Sequence, residues 1–109
     1  MAKHITSVVG SEIVKEYKSA AKKFSKFNSA HEGYAVLLEE VDELWDVVKL
    51  NPDKIEVQPR LTIFMADEES DKIIADLQKK KHQEMMRKEA IQVAAMALRF
   101  VIDCCSEED

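Results

Sequence analysis

Three glutamates, Glu39, Glu40 and Glu43, sit inside the otherwise apolar run LLEEVDELWDVV (37–48), and a fourth, Glu89, sits in RKEAIQVAAMALRFVID (87–103). Carboxylates at such steps on two helices can converge on one hard cation, which takes oxygen ligands. At about 100° of turn per residue, Glu40 and Glu43 project into the sector that Val36 and Val47 occupy one turn away on either side. Asp42, Asp46 and Lys49 make the solvent face, with Glu39 at its edge. Leu37, Val41, Leu44 and Val48 form the main core face, flanked by Leu38 and Trp45. In the second run Glu89 shares a face with Val93, Met96 and Phe100, so whatever buries that stripe draws the carboxylate inward. Acids at these spacings are most often a solvated face, and Arg87 or Lys88 could pair a buried glutamate. The shared apolar sectors favour a carboxylate-lined metal centre. Mg²⁺ suits it, because Mg²⁺ keeps waters that substrate phosphates can replace, and Mn²⁺ is the alternative.

Helices must carry these residues. The 109 residues are 46% hydrophobic and 34% charged, with two glycines and two prolines, which is the size of one domain and the profile of an all-α protein. The expectation is a single helical bundle over residues 1–109. From Ser11 to Phe27, Ile13, Tyr17, Ala20, Ala21, Phe24 and Phe27 recur at helical spacing among lysines, predicting an amphipathic helix. Ser29 and Glu32 form an S-x-x-E start signal for a second helix reaching about Leu50, with Asn51 before Pro52 as its break. Residues 51–65 read as an irregular or partly helical connector. A third helix is expected from about Ser70, continuing directly into the apolar stretch that ends at Asp103. Its segment 90–102 is apolar nearly all round apart from Gln92 and Arg99, which one small layer cannot bury, so the bundle is expected to be completed by oligomerisation.

Other classes find less support. The net charge is −5 and the lysines are scattered among acids, so a nucleic-acid duplex is not an expected partner. No apolar run reaches membrane-spanning length, and MAKHITSVVG lacks a secretory apolar region, so a soluble, cytoplasmic protein without membrane partners is expected. Cys104 and Cys105 are adjacent, a spacing that suits neither metal nor redox pairs, and read as reduced bystanders. His4, His31 and His82 form no ligand pair and read as surface or cap residues. Lys79 to Lys81 read as a solvated helix end.

EEVDE (39–43) fits an EExxE signature, and the wider HEGYAVLLEEVDELWDVV resembles the metal-binding helix of the MazG-like nucleotide pyrophosphohydrolases, an all-α superfamily. RKEAIQVAAMALRFVID resembles that family's second metal-binding helix, with Glu89 as the first acid of ExxD. The resemblance covers most of the chain outside the connector. It implies Mg²⁺-dependent hydrolysis of a nucleoside triphosphate to monophosphate and pyrophosphate, with clearance of noncanonical nucleotides as one role; a homodimer or homotetramer is expected from the apolar surface of 90–102. Glu40, Glu43 and Glu89 would hold the metal, with Glu39 as general base or outer ligand. Gln92 stands where the family has the aspartate of ExxD, so it can offer a carbonyl oxygen but no charge. The connector is also longer than the family's usual link. These departures support a second expectation, a catalytically silent helical module for oligomerisation or for binding a nucleotide or protein. Cations for the phosphates would come from Lys88, Arg99 or a lysine of the first helix, although Arg99 stands one turn before Asp103 and an ion pair there is equally expected. Phe24, Phe27, Tyr34 and Trp45 are the aromatic candidates for a base pocket, and their core spacing favours packing.

Overall fold

The computed structural model describes residues 2–57 and 67–106, with side chains over 5–57 and 69–106. Helices α1 (Ala2–Lys23), α2 (Ala30–Val48) and α3 (Asp67–Cys104) are joined by a 24–29 linker and, after α2, a 3-10 turn at Pro52–Lys54. The class is all-α. No helix among the described residues is long and apolar enough to cross a membrane.

Local chemistry sets the boundaries of α2. Ser29 is extended, and its hydroxyl accepts from the Glu32 amide at 3.1 Å, satisfying one orphan N–H of the first turn. The Glu32 carboxylate reaches back past Ser29 to accept from the Asn28 backbone and side-chain amides, both at 3.1 Å. At the other end Lys49 caps the helix, and the Asn51 side chain accepts from Asp53 to open the 3-10 turn with Pro52 in its first position. Helix α1 departs from the expected 11–27 at both ends. It begins at Ala2, through Gly10, where a Cβ would meet nothing within 4 Å, and it stops at Lys23. Tertiary bonds overrule the periodicity after Lys23. The Asp103 carboxylate accepts from the Phe27 amide at 3.2 Å and pairs with Arg99 Nε at 3.5 Å, and Arg99 Nη2 donates to the Ser25 carbonyl. The third helix is one continuous rod of 38 residues, as the merged pattern implied.

Both α1 and α2 pack along α3, and among the described residues no Cα of α1 comes within 8 Å of one of α2. The close approach of α2 to α3 depends on Gly33, where a Cβ would lie 2.8 Å from the Phe100 ring and 3.0 Å from the Phe27 ring. Residues 53–56 are strapped to α3: Gln78 donates to the Asp53 and Ile55 carbonyls, and Lys81 donates to that of Glu56. His82 is buried, with Nε2 2.7 Å from the Val47 carbonyl near the end of α2. It therefore takes the cap role and not the surface one, and Lys81 lies mid-helix and not at a solvated end. Residues 58–66, the rest of the expected connector, lie outside the described residues.

Few large apolar residues are fully enclosed. Phe27, Ile55, Ala95 and Met96 are the buried apolar ones among the described residues. The Cα radius of gyration is 18.6 Å, against about 13 Å for a compact chain of this length. The expected core face of α2 is corrected accordingly. Leu37 and Leu44 are half-buried, but Val41 and Val48 are exposed, as are Leu38, Tyr34 and Trp45. The face that meets α3 is the one through Gly33, Val36, Glu40 and Val47, because Gly33 alone permits contact with Phe100.

Candidate metal centre

Glu40 and Glu43 stand three residues apart on α2, and Glu89 faces them from α3. One carboxylate oxygen from each can be chosen so that all three lie within 4.8 Å of one another. Glu40 and Glu89 are half-buried and Glu43 is exposed. Burial, foremost, raises the Glu40 pKa above its ordinary 4.5, and the charge and hydrogen bond of Glu43 add to it, followed by the charges of Glu89 and Glu39. Among the described residues no lysine or arginine is ion-paired to this trio. Arg87 is bonded instead to Glu12 of α1, Arg99 to Asp103, and Lys49 to Asp46. The trio is thus an uncompensated concentration of oxygen ligands, which a divalent cation would neutralise.

Because α1 and α2 diverge over α3, a cleft of about 650 Å³ opens beside the trio. Glu40 belongs to both. Glu39 and Gln92 also line the cleft, with Glu39 exposed and Gln92 half-buried one turn beyond Glu89. The site residues named from sequence therefore fall in one neighbourhood: three acids together, and Glu39 and Gln92 in the adjoining wall. Val36 and Met96 supply apolar lining, and Lys23 a cation.

Arg99 also lines the cleft but is not a free cation. It is 5% exposed, its guanidinium lies 4.0 Å from the centre of the Phe27 ring and 5.8 Å from that of Phe24, and its bonds hold the 24–29 linker. The ion pair with Asp103 that its spacing allowed is the observed one. Lys88 lines a smaller hollow between α1 and α3, which shares Glu16 and Gln92 with the main cleft. Of the four aromatic candidates, only Phe27 is buried; Phe24, Tyr34 and Trp45 are 59–61% exposed, and Phe24 and Phe27 border the cleft. Cys104 and Cys105 are free thiols.

Glu16 was not singled out from sequence, yet it lines both hollows. The signal was present: it stands three residues after Ile13 and four before Ala20, in the apolar sector of α1, the same anomaly that marks Glu89.

No protein-family model matches this chain, and neither a curated protein nor a solved structure matches it.

Proposed function

We propose that the protein is a Mg²⁺-dependent nucleoside triphosphate pyrophosphohydrolase, giving a monophosphate and pyrophosphate, on the MazG-like pattern. The observation that carries this reading is the Glu40–Glu43–Glu89 trio, without a cationic partner, whose Glu40 also lines a cleft large enough for a small ligand. The donor set fits the metal: three carboxylates and no thiol or imidazole is a hard-cation site, and Mn²⁺ would fit it as well. Gln92 adds a neutral carbonyl oxygen as a further ligand. A bound Mg²⁺ would neutralise phosphate charge and lower the pKa of a water.

The chain's own residues do the rest. Glu39 lines the cleft next to Glu40 and is exposed, so its carboxylate is free to take the proton of an attacking water as the general base. Lys88, next to Glu89 and outside the main cleft, replaces Arg99 as the cation that meets the phosphate chain, since Arg99 is committed to Asp103 and the linker. Two copies would associate through the exposed apolar stripe of α2. That stripe also favours the second reading, a silent association module, which differs in predicting metal binding without turnover.

The deciding experiment is pyrophosphate release from a panel of canonical and modified nucleoside triphosphates, with and without Mg²⁺. Metal-dependent release that falls by about 10²-fold or more in Glu40→Gln is expected, because the variant loses a ligand to the ion that would stabilise the developing charge. No release from any triphosphate by folded protein would overturn the enzyme reading.

A further inference from the structure

The cleft beside the trio is charged in a way that sorts the parts of a nucleotide. Its walls carry Glu16, Glu32, Glu39 and Glu40 against Lys23 and an already committed Arg99. A phosphate chain lying there would meet mostly like charge, whereas a neutral planar group would not. The wall offers such a group a surface: the Phe24 ring is 61% exposed at the cleft's border, and Met96 and Val36 lie within. Of the four acids, Glu32 is spent on Asn28, Glu40 belongs to the trio, and Glu39 neighbours it. Glu16 is left. It is half-buried on α1, outside the trio, and has no hydrogen-bond or ion-pair partner among the described residues.

We propose that this cleft receives the nucleotide's base and that Glu16 selects it, by accepting a hydrogen bond from an exocyclic amino group. The inference rests on the nucleotide reading of the trio. An ionised carboxylate only accepts. Guanine and cytosine present an amino group, whereas hypoxanthine lacks it and uracil replaces it with a carbonyl that would oppose Glu16 acceptor to acceptor. A half-buried acceptor left unmet by its ligand is the strongest discriminator a small site can build. The substrate class is therefore amino-bearing bases, with the counterparts that lack that amino group rejected.

The test is calorimetric binding of non-hydrolysable α,β-methylene triphosphates of guanine, hypoxanthine, cytosine and uracil to the full chain in Mg²⁺. In wild type the amino member of each pair is expected to bind about 10-fold tighter or more. Glu16→Ala, which removes the acceptor, should collapse both ratios toward unity, and Glu16→Gln, whose amide can also donate to a carbonyl, should collapse the cytosine/uracil ratio even if the first variant fails to fold. Phe24→Ala should weaken all four alike, by about 10-fold. Equal affinities within each pair, preference for the member without the amino group, or ratios unchanged in both Glu16 variants would overturn selection by Glu16 while leaving the nucleotide reading in place. No binding of any of the four, in protein with native helical content, would overturn both.

Discussion

On α2, the face turned toward α3 carries Gly33, Val36, Glu40 and Val47, while the face turned away carries Tyr34, Leu38, Val41, Trp45 and Val48. A lone helix packed on a core keeps carboxylates outside and tryptophan within; here Leu37 and Leu44 follow that rule, but Glu40 lies within and Trp45 outside. The inversion separates two demands made on one helix. Glu40 turns inward to meet Glu89 and the cleft, and the residues with most apolar area stay exposed on this chain. The outward residues recur at steps of four, three, four and three, the seam spacing of paired helices.

Breaking the outward face should have the largest effect. Charging Val41 and Trp45 together, as Val41→Asp with Trp45→Asp, is expected to weaken self-association by about 100-fold or more, because buried anchors of this kind dominate an interface. Sedimentation at graded protein concentration reads it directly. A wild-type chain that sediments as a monomer at all concentrations would sink the idea that a second copy covers the stripe. The inward face should break differently. Gly33→Ala places a methyl against the Phe100 and Phe27 rings, and overpacking of that kind costs about 1–3 kcal/mol. The urea midpoint should fall with the slope unchanged; an unshifted midpoint would mean that α2 and α3 can separate freely there.

The same contrast explains what was readable in the sequence. Ser29 and Glu32 announced the start of α2, because a cap is satisfied within four residues of chain, and the acids of the trio stood out as charges in apolar sectors. Which apolar stripe of α2 meets its own chain was not readable: both have helical period, and the deciding fact is that Gly33 fits against Phe100, 67 positions later. The end of α1 was hidden for the same reason. Phe24 and Phe27 continue the period of Ile13 and Tyr17, but Arg99 and Asp103 capture Ser25 and Phe27 from the far end of α3. The Arg99–Asp103 pair itself was legible, being one helical turn. The cleft was not, since it exists only because α1 and α2 both choose α3 over each other.

The smallest effect is also the one that isolates the inward carboxylates from everything else. Burial and like charge raise the Glu40 pKa in the folded protein above its ordinary 4.5, so between those two values the folded state binds more protons than the unfolded chain. Stability then falls with rising pH across that window. Relative to the metal-free protein at pH 4.5, Glu40 is therefore a burden at neutral pH, where it is ionised among Glu43, Glu89 and Glu39. Glu40→Gln should remove this burden, so that the metal-free variant is more stable than wild type at pH 7 and the difference shrinks as the pH falls below 4.5. Mg²⁺ should invert the order at neutral pH, stabilising wild type and leaving the variant almost unmoved, since a ligand stabilises only the form that binds it. Thermal midpoints of both proteins from pH 4 to 8, with and without Mg²⁺, test both signs. A variant less stable than wild type in the absence of metal at pH 7 would mean that Glu40 is held by packing and not strained by its neighbours, and the reason for reading the trio as a metal centre would go with it.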